Sequence, residues 1–319
     1  MKITKSILTK IIREEILREA YGREEFTQMR RLALTPGNKS LPNAVRAFET
    51  AITMKDVKMR NMAYDYFIKH FGGVDLSGQD LRGHDISSLV TDSGIARSRH
   101  SRQQIKIVNF SGADLTGGKS DGNVFYFGNF NGAIMNNFAS MQTAFTLSDL
   151  QSVKLNNAKI ELTAFRSADL SGAELKNAYL RTVGFRTHPS DNVTSLRNAD
   201  FSGAEFSVVT FEGCDASGAN FAGANFDHHC EFENADFSGC NFSGVYNRRC
   251  TFKNSNLSNA DFSNADIRGV SFKNSNLSNA DFSNADIRGV RFTGSNIEGV
   301  NLTGAKGFYR DSEGVRRGD

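Results

Sequence analysis

Residues 252–271 read FKNSNLSNADFSNADIRGVS, and residues 272–291 read FKNSNLSNADFSNADIRGVR. The two twenty-residue blocks differ only at Ser271 and Arg291. Inside them a large apolar residue falls at every fifth position: Phe252, Leu257, Phe262, Ile267, Phe272, Leu277, Phe282 and Ile287. A small residue stands two places before each, as at Ser255, Ala260, Ala265 and Val270. A period of five fits neither the 3.6 of a helix nor the 2 of a flat strand. A short period repeated this often means a solenoid.

Working outward, the same beat runs back through Phe252, Asn247, Phe242, Phe237 and Phe232 to Phe226, Phe221, Ala216, Phe211, Phe206, Phe201 and Leu196. It continues from Phe185 down to Phe110 and Ile105, and begins at Leu76, Leu81 and Ile86. At the other end Phe292, Ile297 and Leu302 complete it. The unit A-(D/N)-(L/F)-x-x, as in Ala260-Asp261-Phe262-Ser263-Asn264, resembles the pentapeptide-repeat family over about two thirds of the chain. That resemblance implies a mainly β fold, a right-handed quadrilateral parallel β-helix with one pentapeptide per side. Four pentapeptides then make one coil, and residues twenty apart stack at about 4.8 Å. About ten coils follow from Ile105, a rod of roughly 45–50 Å.

Three places break the beat. Residues 87–104, SSLVTDSGIARSRHSRQQ, are polar and read as a loop extruded from the first coil, with Arg97, Arg99, His100 and Arg102 in it. Phe185 and Leu196 are eleven residues apart where two pentapeptides would span ten, with Arg186 to Asp191 as a turn-rich bulge. Phe226 and Phe232 are six apart, so the run Asp227-His228-His229-Cys230-Glu231 absorbs one extra residue. Ser120 and Ser140 occupy large-residue positions and thin the core on one side, and Phe127, Phe138 and Met141 mark the early coils as irregular.

Residues 1–72 read as an α-helical N-terminal domain, 73–307 as the solenoid and 308–319 as a polar, loose C-terminal tail, with Gly307-Phe308-Tyr309 as a lid over the last coil. Ile3, Ile7, Ile11, Ile12 and Ile16 recur at helical spacing over residues 3–20 with charged residues between them. They make a candidate docking helix that serves assembly or caps the open first coil. This opening also resembles the starts of tailed-phage proteins. It carries Glu14, Glu15 and Glu19 and no clean apolar stretch, so a secretory signal is not expected. No run of eighteen apolar residues exists, so no transmembrane helix and no membrane partner are expected. A cytoplasmic or virion setting follows.

The four cysteines fit that setting. Cys214, Cys230, Cys240 and Cys250 each lie two places before a central position, the small inward slot, where a thiol acts as a small hydrophobe. The chain has no CxxC pair, Walker loop, HExxH or GxSxG. His228, His229 and Cys230 with Asp227 and Glu231 come nearest to a metal cluster, but adjacent residues rarely ligate one ion, and the bulge explains them without metal. No catalytic residue, metal or cofactor is therefore expected, and the chain reads as a non-enzyme.

Charge rises above the repeat pattern. The chain carries a net +3, split as 18 Lys/Arg against 12 Asp/Glu in residues 1–104 and 17 against 20 in residues 105–307. Between Arg197 and Arg248 no Lys or Arg occurs, while Asp200, Glu205, Glu212, Asp215, Asp227, Glu231, Glu233 and Asp236 do. These eight form a candidate partner-binding acidic belt. A basic stretch precedes it, with Lys154, Lys159, Arg166, Lys176, Arg181, Arg186 and Arg197. The expected function is a non-enzymatic structural or protein-interaction scaffold, a rigid rod docked through its N-terminal helices to itself or to a larger assembly such as a phage virion. The family resemblance implies an alternative, since some members imitate DNA and bind DNA gyrase. The basic stretch and the solenoid's small net charge weigh against that, and no direct nucleic-acid contact is expected.

Overall fold

The structure is a computed structural model that describes residues 73–87, 107–187, 192–227, 229–247, 250–311 and 313–318. The expected N-terminal α-helical domain, its docking helix with Ile3, Ile7, Ile11, Ile12 and Ile16, and nearly all of the 87–104 loop lie outside the described residues. Among the described residues the regular structure is β throughout, in strands of two or three residues.

Each coil presents four sides, because four successive pentapeptides pair with the four of the next coil. In one coil Asp149, Lys154, Ile160 and Phe165 stand opposite Asp169, Glu174, Leu180 and Phe185. Every solenoid pairing is parallel. The fold is a parallel β-solenoid of about nine turns, and nine phenylalanines mark them on the fourth side: Phe125, Phe145, Phe165, Phe185, Phe211, Phe232, Phe252, Phe272 and Phe292. The third side forms a seven-stranded sheet and the fourth an eleven-stranded one.

The large fifth residues face inward. Leu257, Phe262, Phe272 and Phe282 are all fully buried, as are the small residues between them, such as Ala280 and Val270. Rings stack along the tube rather than interdigitating across it. On the second side Phe201, Phe221, Phe242, Phe262 and Phe282 lie 4.8–5.0 Å apart with nearly parallel planes. Rings on the opposite second and fourth sides meet edge to face in the interior, as do Phe252 and Phe262 at 6.2 Å and 89°. Both geometries suit the ring quadrupole, which disfavours only the face-on sandwich.

The corners explain the polar remainder of the repeat. At most corners among the described residues the second residue after the central one has positive φ, and Asn or Gly fills most such places, for example Asn259, Asn264 and Gly269. This left-handed region costs other residues a Cβ–carbonyl clash. The Asp or Asn before the central residue accepts a hydrogen bond from the backbone two residues on, as Asp261 does from Ser263.

The early coils are irregular in a way that fills space. Ser120 and Ser140 stack in register and are buried. Beside them the small slot holds Phe138, so large and small residues exchange places. The hydroxyls are satisfied locally: Asn123 Nδ2 donates to Ser120 Oγ at 2.6 Å, and Ser140 and Thr163 share a hydrogen bond at 3.2 Å.

Two expectations are corrected. Phe185 pairs with Phe165 and Phe211, while Leu196 opens the next side, so the two are consecutive central residues. The interruption is six extra residues in one step, not one in two steps, which takes one pentapeptide, a quarter of a turn, off the count. The tail is not loose. Tyr309–Arg310 and Arg316–Arg317 form an antiparallel hairpin on the last coil. Asp311 organises it, accepting hydrogen bonds from the Val315 backbone and from Arg317 Nε. Tyr309 meets Phe292 edge to face at 5.6 Å and covers the core, whereas Phe308 is exposed.

Candidate binding surface

Stacked phenylalanines occupy the interior, so the side chains free to act lie on four outward surfaces. In each pentapeptide the residues flanking the central one point outward, and each repeats into a column along the rod. On the third side one such column reads Lys119, Ala139, Lys159, Tyr179, Glu205, Asn225 and Tyr246. On the fourth another reads Arg166, Arg186, Glu212, Glu233, Lys253 and Lys273.

The eight acids of the belt spread over all four sides. Asp215 and Asp236 are stacked on the first, Asp200 lies on the second, Glu205 and Asp227 on the third, and Glu212, Glu231 and Glu233 on the fourth. Five of the eight therefore occupy two adjacent sides within two consecutive coils, a patch about 10 Å long at strand spacing. Neighbouring coils supply cations to half of the belt. Lys176 reaches Asp200 at 3.3 Å, Arg197 reaches Asp215 at 3.3 Å and Arg186 reaches Glu212 at 3.6 Å. Lys253 reaches Glu233 at 2.5 Å. Part-burial opposes ionisation of Asp200, but hydrogen bonds from Ser202 and the Lys176 ammonium outweigh it and hold the carboxyl below its usual range. Asp236 accepts from Asn256. Glu205 and Glu231 have no ion pair among the described residues.

The duplicated coils carry an ion-pair ladder. Asp266 and Asp286 are stacked, Arg268 grips Asp266 at 2.6 Å and reaches Asp286 at 3.5 Å, and Arg288 grips Asp286 at 2.5 Å. The Arg288 hydrogen bond depresses the Asp286 pKa. Such exposed pairs contribute only tenths of a kcal/mol each.

All four cysteines are free thiols and buried, as the small slot requires. Burial pushes the Cys214 and Cys240 thiols far above their ordinary pKa. Among the described residues no group of three or more His, Cys, Asp or Glu is placed to hold a metal ion. His228 lies outside them. No helix among the described residues is long and apolar enough to cross a membrane.

A feature the repeat pattern did not announce lies at the corner between the third and fourth sides. In three coils this corner holds Gly122, Gly269 and Gly289. In four consecutive ones it holds Gln142, Leu162, Thr182 and Val208, all with φ between 51° and 56°. Leu162 and Val208 are 50% and 48% exposed, and Met141 beside them 44%. A shallow recess of about 500 Å³ lies on the third side and reaches its other corner, lined by Asn157, Ala158, Lys159, Glu161, Asn177, Tyr179 and Arg181. The sequence signal was available: Leu, Thr and Val at a position where Asn or Gly recurs.

Family models match three stretches. The pentapeptide repeat region model matches residues 226–302, and models of nine and eight pentapeptide repeats match residues 191–236 and 145–185. No curated protein matches the chain. Among solved structures, one match is HetL, a pentapeptide repeat protein involved in heterocyst differentiation regulation from the cyanobacterium Nostoc sp. strain PCC 7120. It is 16% identical, covers 83% of this chain and 100% of HetL, and has a TM-score of 0.28. A second is full-length QnrB1, a plasmid-mediated fluoroquinolone resistance protein, with 21% identity, coverage of 74% and 92%, and a TM-score of 0.29. A third is ORF18 of Geobacillus virus E2, with 10% identity, coverage of 81% and 65%, and a TM-score of 0.27. Overlays this loose carry nothing about partner or activity.

Proposed function

The chain belongs to the pentapeptide-repeat family, and from that premise we propose that it is a non-enzymatic protein-binding rod. The observation that carries this reading is the division of labour in each coil. Inward positions are spent on stacked rings, and outward ones form straight columns of charged and polar side chains at strand spacing. Such a body offers flat, rigid, patterned surfaces, which suit recognition of another protein or of a second copy. The N-terminal segment, in whose sequence Ile3, Ile7, Ile11, Ile12 and Ile16 recur at helical spacing, docks the rod to itself or to a larger assembly, of which a virion is one. Deleting residues 1–20 and measuring the mass in solution tests the docking role. An unchanged oligomer would remove it.

The second reading is a DNA mimic that binds DNA gyrase. The concentration of Glu205, Glu212, Asp227, Glu231 and Glu233 on two adjacent sides favours it. The shortness of that patch, and the cations that neutralise half of the belt, weigh against it. A supercoiling assay decides: inhibition or protection of gyrase at micromolar protein would establish the mimic, and no effect would exclude it.

A further inference from the structure

The third side carries an outward pattern that is complementary to itself when reversed. Its seven strands run in the order Lys119–Asp121, Ala139–Met141, Lys159–Glu161, Tyr179–Arg181, Glu205–Ser207, Asn225–Asp227 and Tyr246–Asn247. Tyr179–Arg181 is the middle one. One strand before it the outward column holds Lys159, and one strand after it Glu205, both exposed. At the bordering corner Leu162 precedes Thr182 and Val208 follows it. A cation and an anion, and two apolar residues, thus flank one centre symmetrically.

These corner residues also break two rules at once. Leucine and valine lack the short polar side chain that eases the left-handed conformation, and valine there is a genuine outlier. Both are half exposed although apolar. Rule-breaking of this kind concentrates at functional surfaces.

We propose that a second copy of this chain lies antiparallel on the third side, with the twofold axis passing through Tyr179. Reversal about that axis places Leu162 against the partner's Val208 and Lys159 against the partner's Glu205, each contact occurring twice. Tyr179 meets its own counterpart at the axis. The interface is isologous and closes at two copies. It gives Glu205 a cation, which it lacks within the described chain. Lys159 is available, because its present partner Glu161, 3.2 Å away, also takes Arg181 at 3.5 Å. That second pair holds Arg181 back from its counterpart near the axis. A single side of a narrow rod supplies an interface of the small class, below about 1,200 Å² in total, so the dimer is weak and forms at high protein concentration. This contact is separate from residues 1–20, so their deletion leaves it intact.

Sedimentation equilibrium of the full chain over a wide concentration range tests the proposal. Leu162→Asn with Val208→Asn installs the residue that takes this φ elsewhere, so the solenoid is preserved while self-association weakens at least tenfold. Lys159→Glu and Glu205→Lys each weaken it similarly, and the double reversal restores it. Tyr179→Cys adds a direct readout. With oxidised glutathione, two thiols exchange with one glutathione disulfide to give one interchain disulfide and two reduced glutathiones, and a covalent dimer appears on a non-reducing gel. Thr303→Cys, on the second side, stays monomeric under the same treatment, and the four native cysteines are buried. Failure of Tyr179→Cys to cross-link, self-association unaffected by the asparagine pair, or a double reversal no better than its single components would each overturn the proposal.

Discussion

Replacing Phe221 by alanine puts the stacked interior to a quantitative test. Phe221 is fully buried in the middle of the rod. Its ring is sandwiched between Phe201 at 5.0 Å and Phe242 at 4.9 Å, with planes within 3° of parallel. Four more rings, those of Phe206, Phe211, Phe226 and Phe237, lie 5.9–6.4 Å from it. Truncation to alanine leaves a cavity walled by stiff aromatic side chains and hydrogen-bonded backbone, which cannot collapse into it. Large-to-small aromatic substitutions in such cores cost about 3–5 kcal/mol. Lost ring pairs contribute beyond area at about 0.5–1.5 kcal/mol each, so the upper half of the range is expected. Phe282, with three ring contacts among the described residues, to Phe262, Phe272 and Phe292, should lose less. Equilibrium urea unfolding followed by far-ultraviolet circular dichroism measures both. A loss below about 1 kcal/mol for Phe221→Ala would refute the inward stacking.

Other outcomes follow from the same geometry. Val208→Asn should raise stability by about 1 kcal/mol by relieving the left-handed strain, read as a higher urea midpoint. Asn247→Ile should stabilise by about 1–3 kcal/mol, because both polar atoms of the buried Asn247 amide lack partners among the described residues, between Phe226 and Ile267; calorimetry checks this. Asp80 and Asp85 are held down to about 2 by side-chain hydrogen bonds from Arg82 and Ser87 respectively. Depressed carboxylates stabilise fully above the unfolded value, so stability should fall as pH drops from about 4 towards 2, and high salt should shrink the effect, in pH-dependent melts. The four buried thiols should react with a thiol reagent only as fast as the protein opens, which absorbance kinetics in native buffer against urea will show.

Much of this was legible in the sequence because a solenoid is close to one-dimensional. A period of five, the small residue two places before each large one, and one coil copied whole define the tube, its filling and its stacking, and Phe262 over Phe282 needs no tertiary guess. What was hidden depended on which side a residue occupies. The eleven residues from Phe185 to Leu196 fit one step or two equally well on paper, and backbone pairing alone chose one. The acidic belt was a run in sequence, but winding distributes a run over four sides, so Asp200 and Glu205 that look like neighbours face different ways. The hairpin over the last coil depends on Asp311 meeting Val315 and Arg317, which no repeat pattern reports. The corner of Leu162, Thr182 and Val208 was readable in principle as a break in the Asn/Gly column, once the corners had been aligned.

The most direct test of the winding itself is a pair of distances along one side. Lys176, Ser263 and Thr303 stand on the second side four and then two coils apart. Nitroxide labels on engineered cysteines at positions 176 and 263 should lie about 19 Å apart, and at 176 and 303 about 29 Å, by double electron–electron resonance. Distances that grow by about 4.8 Å per coil confirm a continuous four-sided tube. Distances that do not scale with the number of coils contradict it.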